Sequence, residues 1–335
     1  MRFRNFGVTV GTLPTGKRNS ISDVSDVLVG HTTLIEGDDV RTGVTAILPH
    51  TGNLFTQSVS AAVHTINGFG KAIGFEQVRE LGTIETPILL TNTLNIGKVS
   101  DALVGYMIEQ NPNLRSVNPL VGECNDGYLN NIHKRAVEAQ HVRLAIENAS
   151  ENIEEGCVGA GTGTVCYGFK GGIGTASRLI DDYTVGVLVQ TNFGATQELQ
   201  ILGVPIGQHL AANDDVPIGK DGSVMIIIAT DAPLSSRQLG RLSHRVPFGL
   251  GRTGTICHHG SGDFVVAFST NQAPIIEHDN APMMNQLFTG VVECVEEAVY
   301  NALVAANDII GFQGRTLKAL PKDKLLHWLT YYRRL

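Results

Sequence analysis

The chain has 335 residues, 42% hydrophobic and 17% charged, with a mean hydropathy of +0.05, and a length a little over two domains of roughly 150 residues buries a sizeable core without disulfide or metal staples. That composition excludes disorder, collagen and coiled coil, and a net charge of −7 argues against nucleic acid or an anionic membrane surface as the main partner. The unusual item is 38 glycines beside 12 Phe, 7 Tyr and 1 Trp, since glycine serves where backbone turns tightly or approaches another group closely.

The amino terminus, Met1 to Gly7, lacks the apolar core of a signal peptide, and no run of about 18 apolar residues occurs. The cysteines Cys124, Cys157, Cys166, Cys257 and Cys294 form no CxxC pair, so a cytoplasmic protein without disulfides or structural zinc is expected. Strand-length apolar runs at Thr45–Leu48 and Thr86–Leu90 precede helical segments at Val99–Ile108 and His133–Glu147. More strands are expected at Thr184–Gln190, Val224–Ala229 and Phe264–Ser269, several too continuously apolar to keep one face in water. Between them, Ala195–Gly222 reads as a long polar connection, and such a loop inside a domain is functional or a linker. A helix over Arg237–Val246 follows the capping-type Ser235 and Ser236. The last helix carries Val291, Val292, Val295, Val299, Ala302 and Leu303 on one stripe, with Glu293, Glu296, Glu297 and Asn301 largely off it. Strands and helices are interspersed without regular βαβ alternation, which points to a layered α+β domain.

Several segments carry candidate chemistry. Gly122 to Asn131 is dense in hydrogen-bonding groups: Glu123 is a candidate anchor for a ligand ammonium and Tyr128 a candidate donor to an oxyanion, although Asn-Asp-Gly is also a strong turn signal. Asn192 ends an apolar strand with an amide suited to an oxyanion hole, and equally to a turn. Gly159–Thr164 and Lys170–Thr175 fit neither phosphate-loop pattern, so their glycines are expected to let backbone pass close to another segment or a small ligand. At Gly222-Ser223 a hydroxyl stands at the mouth of a buried strand. Attack on the preceding peptide would free an α-amine with an ordinary pKa of about 7.7–8.0, placing nucleophile and base in one residue; read alone, Gly-Ser is also a turn. Ser261 and Asp263 sit two apart in extended chain and face one side, as an orienting and proton-relaying pair or as a hairpin feature. Adjacent Cys257-His258-His259 chelate one ion poorly, so no metal is expected. The basic, aromatic stretch Trp328–Arg334 is too short for a nucleic-acid groove and is expected to dock on the domain or a neighbouring subunit.

In order along nearly the whole chain, Ser22-Asp23, Gly30-His31-Thr32-Thr33, Arg41-Thr42-Gly43-Val44, Thr86-Pro87 to Thr93, Asn125-Asp126-Gly127-Tyr128, Gly159–Gly163, Gly171–Thr175, Asp221-Gly222-Ser223, Thr230-Asp231-Ala232-Pro233 and Arg252-Thr253-Gly254 resemble the DmpA-type aminopeptidases, the family of L-aminopeptidase/D-esterases and β-peptidyl aminopeptidases. The resemblance implies a layered sandwich with two β-sheets between helices, and one domain made from a precursor that cuts itself at Gly222-Ser223 into fragments 1–222 and 223–335. It assigns Ser223 as nucleophile, Ser261 and Asp263 as the serine–acid pair, Asn192 and Tyr128 to the oxyanion, and Glu123 to the substrate's amine. It implies a metal-independent, cofactor-free aminopeptidase or amidase acting on short peptides, amides or esters, as a homo-oligomer (a tetramer) of processed heterodimers, without nucleic-acid or membrane partners. Two positions depart from the family pattern: Cys124 stands where members carry Thr, and Asp263 where some carry Glu. The rival readings are an acyltransferase similar to ornithine acetyltransferase, against which Ser223 counts because those enzymes process before a Thr, and a non-catalytic small-ligand carrier.

Overall fold

The computed structural model describes residues 1–210, 221–271, 273 and 281–335. Along these run strands β1 (Leu28–Glu36), β2 (Val40–Leu48), β3 (Val59–Gly68), β4 (Ala72–Ile73), β5 (Thr83–Ile84), β6 (Ile88–Asn92), β7 (Leu120–Cys124), β8 (Val165–Cys166), β9 (Phe169–Lys170), β10 (Ile173–Ile180), β11 (Tyr183–Asn192), β12 (Asp221–Thr230) and β13 (Gly260–Ser269). The helices are α1 (Phe75–Leu81), α2 (Ile96–Gln110), α3 (Ala139–Glu147), α4 (Ile206–His209), α5 (Ser236–Ser243), α6 (Val246–Arg252), α7 (Ala281–Ala305) and α8 (Lys322–Tyr331).

Side-chain alternation along β12 sets the layering. Val224, Ile226 and Ile228 join the core shared with α5, α6 and α7, whereas Met225, Ile227 and Ala229 join a second core between two sheets. Both faces of this strand are therefore dry, which is why its sequence is apolar without interruption. The larger sheet has the order β10-β11-β12-β13-β3-β5 and the smaller β1-β2-β6-β7-β4. A third core, including Ala46, Leu89, Val99 and Leu103, seats α2 and α3 on the smaller sheet. The result is helices, sheet, sheet, helices, the layered α+β sandwich expected from the sequence.

Ser235 caps α5 as its sequence predicts, accepting the Gln238 N–H while the Gln238 side chain returns to the Ser235 N–H. Elsewhere the element bounds move for identifiable reasons. Pro87 lacks an N–H and keeps β6 from starting before Ile88. The segment read as one helix over Arg237–Val246 ends at Ser243, and α6 begins anew with Pro247 in its first turn. The helix expected from His133 starts at Ala139, after a single turn that closes on the left-handed Arg135.

One reading is corrected. Of the supposed polar connection Ala195–Gly222, the first half is core: Leu199, Ile201, Val204, Ile206 and Leu210 are buried around α4; residues 211–220 lie outside the described residues. On α7, Glu293, Glu297 and Asn301 do not face water. They line up at four-residue spacing and are buried, because Arg178 of β10 donates to Glu293 at 2.8 Å and to Glu297 at 2.7 Å, and Arg4 adds a bond to Glu297 at 2.6 Å. Their lone pairs find partners inside, which is what a buried charge requires.

The glycine-rich stretches are close-packed backbone. Gly172 has φ +144°, and a Cβ there would lie 1.9 Å from the Gly156 carbonyl; a Cβ on Gly174 would lie 2.0 Å from the Ala298 carbonyl on α7. The carboxyl terminus docks on the domain as expected, with Trp328 stacked on His209 and Leu325 and Leu329 buried.

Candidate active site

Strand register brings the candidate residues to one end of the two sheets. β12 and β13 run parallel with Gly222 opposite Ser261 and Val224 opposite Asp263, while antiparallel β11 places Asn192 opposite Ser223. From the smaller sheet, the carboxyl ends of β6 and β7 supply Thr93, Glu123 and Asn125. These ends surround a cleft of about 580 Å³ whose walls include Ser223, Asn192, Tyr128, Glu123, Lys71 and Phe69.

The Ser223 hydroxyl oxygen accepts two hydrogen bonds, from the Asn192 side-chain amide at 3.1 Å and from the Asn125 backbone N–H at 3.3 Å. Two donors converging on one hydroxyl oxygen are also placed to stabilise negative charge that develops beside it. The Asn192 amide is oriented from behind: its oxygen accepts the Val165 N–H at 3.1 Å, which turns its NH2 toward Ser223. Ser261 donates to Asp263 at 2.6 Å, and its hydroxyl lies 3.1 Å from where a side chain on Gly222 would begin, so the pair sits against the Gly222-Ser223 bond. Burial pushes the Asp263 carboxyl up to about 6, against the opposing pull of the Ser261 hydrogen bond. Its second oxygen has no hydrogen-bond partner; the neighbouring Cys257 thiol, on a left-handed backbone, favours the ionised carboxyl less than Ser261 does.

Glu123 is buried, and its carboxylate accepts from the Lys71 N–H at 3.1 Å and from the Thr93 hydroxyl, with the Lys71 ammonium 3.7 Å away. A buried carboxylate on a cleft wall attracts a ligand cation. Tyr128 lines the same cleft, its ring 5.4 Å from the Arg315 guanidinium, which also donates to the Tyr128 carbonyl at 3.3 Å. Between Asn125 and Tyr128, Asp126 is fully buried and braces the loop by accepting from Asn92 at 3.1 Å and Asn130 at 3.0 Å; burial pushes its carboxyl up to about 6.

Cys124 is buried beside Ser223, where desolvation holds its thiol far above the ordinary range. His258, weighed as a metal-capable side chain, instead pairs with Glu198 at 2.8 Å. Among the described residues no group of three or more His, Cys, Asp or Glu side chains is placed to hold a metal ion, and no described helix is long and apolar enough to cross a membrane. Of the candidate residues named from the sequence, Ser223, Asn192, Tyr128, Glu123 and Gly222 thus line one cleft, while Ser261 and Asp263 are buried behind the Gly222-Ser223 bond. Sequence reasoning missed the Asn125 and Val165 N–H groups, because a backbone donor has no residue signature, and it missed Lys71 and Thr93, which only the approach of β4 and β6 to β7 brings to Glu123.

The model of peptidase family S58 matches residues 19–317. The chain is 38% identical to the beta-peptidyl aminopeptidase BapA of Sphingosinicella microcystinivorans over 371 aligned positions, covering 100% of this chain and 93% of that protein. A solved protein of Pyrococcus horikoshii OT3 superposes with a TM-score of 0.93 at 46% identity, all of both chains being covered. The L-aminopeptidase D-Ala-esterase/amidase of Ochrobactrum anthropi, described as a prototype of the serine aminopeptidases and a new variant of the Ntn hydrolase fold, superposes with a TM-score of 0.90 at 36% identity over 100% and 99% of the two chains. The chain belongs to peptidase family S58, and its fold is that of these Ntn-hydrolase neighbours.

Proposed function

We propose that this member of peptidase family S58 is a self-processing serine aminopeptidase that releases the amino-terminal residue of short peptides, amides or esters. The observation that supports it most directly is the Ser223 hydroxyl under two hydrogen-bond donors, in register with Ser261–Asp263 and facing a buried Glu123 across the cleft.

In processing, the Ser223 oxygen attacks the Gly222 carbonyl, the C–N bond breaks, and water hydrolyses the resulting ester, leaving a Gly222 carboxylate and a free Ser223 α-amine. In turnover the same oxygen attacks the substrate carbonyl, its proton passing to the α-amine or to the Ser261–Asp263 pair and then to the leaving amine. Water then releases the acyl group. Asn192, Tyr128 and the Asn125 N–H carry the oxyanion. Glu123 holds the substrate ammonium, which restricts cleavage to the first residue. The domain then consists of fragments 1–222 and 223–335, assembled as a homo-oligomer (a tetramer) of processed heterodimers; five free cysteines suit a reducing, cytoplasmic setting.

The test is a denaturing gel and an aminoacyl-anilide assay of the wild type beside Ser223→Ala. The wild type is expected as two fragments that hydrolyse the anilide, and the variant as one inactive chain. A full-length, inactive wild type overturns the reading.

A further inference from the structure

Lys170 is a fully buried lysine to which the reaction outlined above gives no task. It stands on β9, second in a tight hairpin with β8 whose turn residues Tyr167 and Gly168 are both left-handed. Its ammonium donates to three main-chain carbonyls, those of Gly161 at 2.9 Å, Thr164 at 2.9 Å and Gly171 at 2.8 Å. Three acceptors use all three N–H bonds of a charged ammonium, whereas a neutral amine would turn a lone pair on one of them. The group is therefore a cation held by three carbonyl dipoles, with the Asp126 carboxyl also favouring its charge, although burial lowers its affinity for the proton.

One of those carbonyls has a particular neighbour. The Thr164 C=O and the Val165 N–H belong to the same planar peptide unit. Its oxygen end is held by Lys170, and its N–H end donates to the Asn192 side-chain oxygen at 3.1 Å. The Asn192 NH2 in turn donates to Ser223 at 3.1 Å. If the peptide turns, Asn192 loses the donor that distinguishes its oxygen from its nitrogen, and a flipped amide presents an acceptor to the nucleophile instead of a donor. Hydrogen bonds in such a chain also polarise one another in the same sense, cation to carbonyl to N–H to amide.

We infer that Lys170 is a positioning residue for the Asn192 oxyanion donor, acting through the Thr164–Val165 peptide. This rests on the aminopeptidase reading for its kinetic consequence, but the linkage itself is a matter of geometry.

The experiment is a double-mutant cycle in kcat and KM, using Lys170→Met, Asn192→Ala and the pair, on an aminoacyl anilide, with thermal unfolding recorded for each. In the wild-type background Asn192→Ala is expected to lower kcat by about 10²-fold, the effect of removing one oxyanion donor. Lys170→Met is expected to lower kcat by a similar factor with KM within about threefold, and in that background Asn192→Ala costs less than about threefold more, since residues acting as one unit are not additive. A Lys170→Met enzyme with wild-type kcat, or a full Asn192→Ala loss on top of it, overturns the inference. If Lys170→Met does not fold, Lys170→Gln, which keeps two donors without the charge, takes its place. A wild type that hydrolyses nothing sinks the aminopeptidase reading alone. The linkage is then read from Val165 amide hydrogen exchange, which must quicken in the lysine variant and overturns the inference if it does not.

Discussion

Asp263 shows the cost of keeping a carboxylate ready in a dry site. Its carboxyl is raised from the ordinary 3.8 to about 6 by burial, so between those two values the folded chain binds a proton that the unfolded chain has released. Stability attributable to this group is therefore greatest in acid and falls as pH rises to 6, after which the loss is complete. Each pH unit is worth about 1.4 kcal/mol, so at pH 7.5 the ionised side chain costs about 3 kcal/mol. Asp263→Asn keeps an acceptor for Ser261 and removes the charge. To hold processing constant it is made in a Ser223→Ala chain and compared with Ser223→Ala alone by urea unfolding. The asparagine chain is expected to be more stable by about 3 kcal/mol at pH 7.5, equivalent to about 4 °C in melting temperature for a chain of this size, and the advantage disappears at pH 4. In the wild-type background the same substitution is expected to abolish activity, while kcat/KM of the wild type falls as pH drops through about 6. An asparagine chain that is no more stable at pH 7.5, or whose advantage persists at pH 4, refutes the burial argument.

Two further outcomes follow from the buried charges. Glu297→Gln leaves Arg178 and Arg4 facing a neutral amide inside the domain and is expected to cost about 3–5 kcal/mol in urea unfolding; since Arg4, Arg178 and α7 lie on opposite sides of residue 222, a processed variant should also shed one fragment on size exclusion under conditions where the wild type does not. Glu123→Gln removes the carboxylate proposed to hold the substrate ammonium and is expected to raise KM by about 10- to 100-fold, with kcat within about threefold; an unchanged KM would remove Glu123 from substrate binding.

The periodic and apolar segments were legible without the structure. Val224–Ala229 declares a strand buried on both faces, and the valines of α7 declare a helix, because hydrophobic burial is written in residue type and spacing. Ser223, Ser261, Asp263, Asn192, Tyr128 and Glu123 were singled out by residue type and local spacing and again by resemblance to one family, and strand register brings them to one end of the two sheets. β10 was not, since Thr175, Ser177 and Arg178 look like surface and are polar groups satisfied by the amino-terminal segment and α7. The burial of the α7 carboxylates was hidden for the same reason: helical periodicity separates apolar from charged positions, and it cannot reveal a buried arginine arriving from a strand more than a hundred residues earlier.

By itself the sequence determined which chemistry was on hand: one hydroxyl after a glycine at the mouth of a strand, a serine–acid pair two residues apart, and a surplus of glycine. The tertiary structure decided what these groups do to one another. Strand register set Gly222 against Ser261 and Asn192 against Ser223, and burial moved the Asp263 carboxyl toward neutrality. Packing of backbone on backbone at Gly172 and Gly174 gave the glycine surplus its use. The physical reason is that residue type is local, while hydrogen-bond partnership and solvent exclusion depend on segments that meet only when the two sheets close on each other.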